Sequence, residues 1–480
     1  MLNAFDDIPD GIRPAVPAVA ANGANGFRPP APEPRQGSMG PFALLKAMRE
    51  NPIGIWSQAH FEEPIVLGGF AFGRVAVVSE PQAVRKVLVD DAANYRKSAM
   101  QTRVLSVALR NGLLTVEGDR WRRQRRTLAP LLAKRMVMSF APAMAKAVGA
   151  MIERWRARGE DHVFDLGTEM NRLTLDGLIH TFFSDGLGDN AEAMRVAMMT
   201  YFAVAGRIDP FDIMGLPDFV PRLTRWKVRP MLRFFDRAVD EIIATRRRKL
   251  ADAPDEAPRD MLTALLDVRD PVTGERMDDT EVKANIITFI AAGQETTANA
   301  LTWALYLVAN SPEWCERLEA EAEADIDDWT DGLADSFVDT RALVDEALRL
   351  YPPITAIART AGRRDELAGR TIEAGTMVVV SPYVLHRHRR LWDNPDLFDP
   401  TRFLPGAARR VERYAFLPFG SGPRTCLGAV FAHQEATIVL ASLLKNLELR
   451  LLPGQSVWPM QGITLRPRDP LLMTVKARHS

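Results

Sequence analysis

A single, mostly helical domain with a minor β component is the fold class that this 480-residue sequence predicts. Three observations carry the expectation. Residues 135–158, 231–252, 279–309 and 312–324 repeat apolar side chains at helical spacing. Strand signals are short and confined to two places. Ile65-Val66-Leu67 and Val75-Ala76-Val77-Val78 lie early; Thr371-Ile372 and Met377-Val378-Val379-Val380 lie late. No linker separates the early helices from the late strands, so a division into two domains has no seam. With 47% hydrophobic residues, the chain can bury a large core.

The ends and the charge bound the remaining possibilities. Residues 1–40 are rich in Ala, Pro and Gly and are expected to form a disordered leader before a domain spanning 41–480. The first residues carry acids where a secretory signal needs bases. The most apolar stretch, residues 285–310, is interrupted by Gly293-Gln294-Glu295-Thr296-Thr297, so no transmembrane segment is expected. Lys plus Arg number 61 and Asp plus Glu number 61, which excludes a general electrostatic signal for nucleic acid or an anionic bilayer. The two cysteines, Cys315 and Cys426, make no disulfide framework. A reducing cytoplasm is the expected location, and it leaves a thiol free for chemistry.

The sharpest local signal is Phe419-Gly420-Ser421-Gly422-Pro423-Arg424-Thr425-Cys426-Leu427-Gly428. The glycines permit close backbone approach and Pro423 stiffens the loop. An Ala/Leu-rich helix is expected from about Ala429 to Leu447, and its N–H groups and Arg424 would favour a thiolate at Cys426. A lone cysteine in a tight turn is ordinarily a packing residue. Here the whole pattern, Phe-x-x-Gly-x-Arg-x-Cys-x-Gly, resembles the haem-binding signature of the cytochrome P-450 superfamily.

Companion motifs of that superfamily follow in order. Trp121 and Arg125 stand at i, i+4 on one helical face. Ala292-Gly293-Gln294-Glu295-Thr296-Thr297 resembles the oxygen-activation motif, and polar residues here suit a helix locally distorted over the cofactor. Glu346 and Arg349 form the Glu-x-x-Arg pair, with Arg402 as the expected third member. Arg359 follows Tyr351-Pro352-Pro353. The resemblance spans roughly residues 42–475.

It implies haem b lying between the long central helix and the cysteine loop. Cys426 would ligate the iron, with Phe419, Gly420, Arg424 and Gly428 shaping the loop. Trp121, Arg125, Arg359 and Arg424 would neutralise haem propionates. Glu295 and Thr296 would relay protons to dioxygen. Glu346, Arg349 and Arg402 would be structural. His386 falls in a segment, Ser381 to Arg390, that resembles family sequences, with a surface or core histidine at least as strong a reading, and Cys315 is expected to pack.

The implied activity is insertion of one atom of dioxygen into a small apolar substrate. Two other classes stay open at this point: a peroxide-using or isomerising haem-thiolate enzyme, and a haem sensor without turnover. The pocket is expected from residues 98–114, 201–219, 284–292, 353–357 and 460–462. Within these, Leu105, Val107, Leu113, Phe202, Ile287, Ile290 and Ile354 are prominent, and Arg103 is either a carboxylate anchor or a solvated side chain. No flavin or iron–sulfur segment follows the cysteine helix, so electrons are expected from a separate ferredoxin or flavodoxin with its reductase. Arg122 and Arg126, at i, i+4 beside the inward pair, form the expected docking stripe.

Overall fold

The computed structural model describes residues 26–70, 73–98, 102, 105, 109–160, 162–184, 223–323, 329 and 332–478. Among them, eight helices reach eleven residues or more. They are α1 (Gly118–Leu128), α2 (Ala141–Ala157), α3 (Leu166–Phe182), α4 (Leu223–Asp252), α5 (Asp279–Ala309), α6 (Pro312–Ala322), α7 (Val338–Leu350) and α8 (Ala429–Asn446).

The central helix α5 runs through the core. From Thr297 to Val308 every residue is buried. A helix buried all round has no amphipathic stripe, because apolar neighbours meet it on each side. Asp278 caps its start by accepting from the Glu281 amide, and buried Glu281 ties that end to Arg120 and Arg123 of α1. Against α3 the approach is close: a Cβ on Gly293 would stand 3.3 Å from Leu178.

Among the described residues, twelve short strands complete the fold. β1 (Ile65–Phe70), β2 (Gly73–Val78), β3 (Tyr95–Lys97), β5 (Ile357–Ala361) and β8 (Met377–Val380) form one sheet in the order β1-β2-β8-β5-β3. β2 pairs with β8 in parallel and the other pairs are antiparallel. β4 (Phe164–Asp165), β9 (Leu447–Leu451) and β12 (Leu472–Ala477) make a second sheet. β6 (Asp365–Leu367) pairs with β7 (Arg370–Ile372), and β10 (Pro459–Gln461) with β11 (Leu465–Pro467). Early and late strands share sheets, so the domain cannot be cut between them.

Three expectations are corrected. The boundary at residue 40 falls inside ordered chain. The Phe27 carbonyl accepts from the Phe398 amide at 3.0 Å, and the Phe27 ring meets those of Tyr306 and Phe398. The Pro30 carbonyl accepts from the Tyr351 hydroxyl at 2.8 Å. Extended, proline-rich backbone here satisfies buried donors, which composition does not reveal. Residues 1–25 lie outside the described residues.

Second, α4 begins before residue 231 and carries Pro230 inside it. Third, residues 135–158 are not one helix, because a turn at Ser139-Phe140 separates Lys134–Met138 from α2. By length and composition Lys134–Ala157 is apolar enough to cross a membrane. Its apolar side chains Met144, Val148, Met151, Ile152 and Trp155 are instead buried against the protein core.

Candidate active site

The cysteine loop is held from outside and from within. His386 is buried and accepts the Leu417 amide on Nε2 at 2.8 Å, anchoring the loop's entry. Inside it, the Gly420 amide donates to the Leu417 carbonyl, Thr425 to Gly422, and Cys426 to Phe419 at 2.9 Å. Gly422 has φ +73°, and a Cβ there would lie 1.9 Å from the Leu88 carbonyl oxygen. Only glycine tolerates both the dihedral and the contact.

Cys426 is reachable by solvent yet crowded by protein. Burial pushes its thiol up, while the Gly428 amide and Arg125 pull it down. The expected thiolate-favouring groups are therefore present, but desolvation outweighs them. A metal cation on the sulfur would supply the missing positive charge.

Cations converge beside this loop. Arg125 Nη1 donates to the Thr425 carbonyl at 2.6 Å. The Arg424 guanidinium lies 4.1 Å over the Trp121 ring and pairs with Glu117 at 2.7 Å. Arg359 on β5 stands in register with Lys97 on β3. Burial, reinforced by Arg424, lowers Arg359 to about 10 and Lys97 to about 7. Glu117 is the carboxylate that opposes all three of Lys97, Arg359 and Arg424. Desolvated cations with so little countercharge suit an anionic group bearing carboxylates. A thiol, an aromatic face and converging cations thus fit haem and its propionates.

On α5, Ala292 is exposed although the helix is otherwise largely interior. Thr296 Oγ1 donates to the Ala292 carbonyl at 2.6 Å, and Glu295 Oε1 accepts from Thr464 Oγ1 at 2.6 Å. Burial raises the Glu295 carboxyl, with Thr464 and Arg466 pulling it back. The helix runs unbroken through residues 292–297, and Thr296 returns its hydroxyl to its own i−4 carbonyl.

The family model described as Cytochrome P450 matches residues 37–475. The chain belongs to the cytochrome P450 family. Cyclooctat-9-en-7-ol 5-monooxygenase of Streptomyces melanosporofaciens is 32% identical over 399 residues, covering 80% of this chain and 82% of that protein. Pentalenene oxygenase of Streptomyces avermitilis is 32% identical over 410 residues, covering 84% and 88%. The crystal structure of another cytochrome P450 superposes with a TM-score of 0.81 at 26% identity, covering 94% of this chain and 99% of that one. The protein is a cytochrome P450 monooxygenase, and the cofactor of the family is haem b.

Within this P450, Trp121, Arg125, Arg359, Phe419, Gly420, Arg424 and Gly428 gather around or within the cysteine loop. Glu346 and Arg349 are fully buried and joined by two hydrogen bonds of 2.6 and 2.7 Å. The other Arg349 donors fill the carbonyls of His386, Pro395 and Leu397. Arg402 is not hydrogen-bonded to Glu346. It donates to the Asn394 carbonyl, while the Asp399 amide serves Glu346 at 2.8 Å. Arg402 therefore acts on Glu346 only through its charge.

The docking stripe is corrected too. Arg126 makes a two-pronged pair with buried Asp270, with Nε to Oδ1 at 2.7 Å, so its charge is committed inward. Arg122 remains exposed, paired with exposed Asp119. Of the expected pocket residues, Leu105, Leu113 and Ile287 are half-buried, Ile290 is buried and Ile354 is exposed. Arg103, Val107, Phe202 and residues 201–219 lie outside the described residues.

Sequence reasoning missed Lys97, Glu117, Asn299 and Thr464. Lys97 sits on a three-residue strand, and only its register with Arg359 brings it to the site. A threonine at 464 carries no motif of its own.

Proposed function

We propose that Cys426 is the axial thiolate ligand of haem b, and that Trp121, Arg125, Arg359, Arg424 and Lys97 hold its carboxylates. The observation that carries this reading is the accessible Cys426 sulfur beside a cluster of desolvated cations. When bound, haem supplies the activation of dioxygen.

The chain's own groups then do three things. Gly428 and Arg125 stabilise negative charge at the sulfur. Burial raises the Glu295 carboxyl, which suits it to take up and give back a proton, and together with Thr296 it supplies protons to dioxygen. Apolar side chains such as Ile287, Ile290 and Ile354 receive an apolar substrate and exclude water. Two relatives, named for an unsaturated alcohol and for pentalenene, support that substrate class. Electrons come from a separate acidic ferredoxin or flavodoxin with its reductase, for which exposed Arg122 is a contact.

The test is the reduced carbonyl complex of the haem-loaded protein. A strongly red-shifted Soret band is expected, and Cys426→His loses it. Wild-type protein that binds haem without giving that band would overturn the assignment.

A further inference from the structure

We infer that Thr464, oriented by Asn299, is the positioning residue that fixes the Glu295 carboxyl for proton transfer. The inference rests on Glu295 being the proton relay. Glu295 and Asn299 are four residues apart on α5, so they share a helical face. Thr464 reaches that face from a remote part of the chain, immediately before β11. Its hydroxyl bridges the two. Asn299 Nδ2 donates to Thr464 Oγ1 at 2.9 Å, and Thr464 Oγ1 donates to Glu295 Oε1 at 2.6 Å.

The directions of these bonds matter. A free hydroxyl can turn and accept a proton from a carboxylic acid as readily as it donates to a carboxylate. With the Asn299 amide donating to its oxygen, the Thr464 hydrogen is turned toward Glu295. The carboxyl is thereby held as an acceptor through Oε1. Its other oxygen, Oε2, is buried and has no hydrogen-bond partner among the described residues, which leaves it as the atom that takes up and releases the proton.

The anchor itself is rigid. Asn299 and Thr464 are buried. The Gly462 amide donates to the Thr464 carbonyl at 3.0 Å, the Leu465 amide to the Pro353 carbonyl at 3.0 Å, and Trp303 Nε1 to the Leu465 carbonyl at 3.2 Å. Arg466, next along β11, is the charged group that acts on Glu295 and pulls its titration down. The same turn carries Met460-Gln461-Gly462, an expected wall of the pocket, so proton delivery and substrate contact share one piece of backbone.

A merely packed threonine would affect stability alone. A positioning threonine also sets where Glu295 titrates. Burial raises that carboxyl and the Thr464 hydrogen bond opposes the rise, so removing the hydroxyl raises it further. Infrared difference titration of the haem-loaded enzyme, with the Glu295 signal identified by its loss in Glu295→Gln, reads this directly. Thr464→Val should move the midpoint up by about one pH unit, the scale of one hydrogen bond to a charged group. Asn299→Leu should shift it the same way by less, and Thr464→Ser should match wild type.

Peroxide released per nicotinamide consumed should rise in Thr464→Val and stay low in Thr464→Ser. Full coupling in Glu295→Gln would overturn the relay assignment itself. If Glu295→Gln uncouples while Thr464→Val keeps both wild-type midpoint and wild-type coupling, Thr464 is not the positioning residue. Should Thr464→Val fail to fold, an unshifted midpoint in Asn299→Leu overturns the proposal equally.

Discussion

A neutral imidazole is what position 386 requires. His386 uses an unprotonated Nε2 to accept the Leu417 amide, and burial beside Arg349 and Arg387 lowers it to about 3. The unfolded chain protonates this histidine near pH 6.5, so between that value and about 3 the unfolded state binds more protons. Its contribution is complete above about pH 6.5 and is lost as pH falls toward 3. Denaturant melts should therefore show wild type losing stability more steeply than His386→Gln below pH 6.5, by up to roughly 1.4 kcal/mol per pH unit. Equal slopes would mean that the ring is protonated in the fold. At this scale Cys426 and Arg349 were legible, since each sits in a dense motif. Arg402 was legible as a member of the group but not as a partner by charge alone, because the Asp399 amide occupies the Glu346 oxygen. The role of His386 was not legible, because the amide it caps is 31 positions away.

The cysteine loop is a short element shaped by what it rests on. Gly422 combines φ +73° with backbone of Leu88 where a side chain would go, whereas Gly406 at φ +92° has open space. Gly406→Ala should cost only the dihedral strain, about 1–2 kcal/mol. Gly422→Ala should cost more, lowering the thermal midpoint further and reducing the red-shifted carbonyl band, because the loop must move. Equal losses in the two variants would show that the Leu88 contact is unimportant. The glycines of this loop were expected to allow unusual dihedrals and close approach. Which of them is pressed against Leu88 depends on a packing partner more than 300 positions earlier. In α5, the start at Asp279 was readable from its period, while the close approach of α3 at Gly293 was not.

At the scale of the molecule, charge is distributed by partners rather than by sequence runs. Arg122 and Arg126 are one turn apart, yet one faces solvent and the other closes on buried Asp270. Arg122→Glu should slow the first electron transfer from an acidic donor by roughly two- to tenfold at low salt and flatten its salt dependence. It should leave folding and substrate-induced spectral shifts intact. Arg126→Glu should lower the thermal midpoint, because Asp270 keeps its burial and loses its partner. Stopped-flow reduction across ionic strength, alongside melting curves, separates the two. Unchanged transfer in Arg122→Glu would remove this helix from the docking surface.

Family, reaction class and the mainly helical fold could all be read along the chain, and Cys426 stood out there as the proposed ligand. These reside in residues close together in the chain, where spacing alone puts groups on one face or in one loop. Packing between distant segments brings Lys97 to the cationic cluster, Thr464 to Glu295, Arg126 to Asp270, and Phe27 and Pro30 onto the body of the domain. Each of these depends on a strand register or a helix crossing between distant segments. A hydrogen bond acts over about 3 Å, so it is specified by folding and not by local sequence.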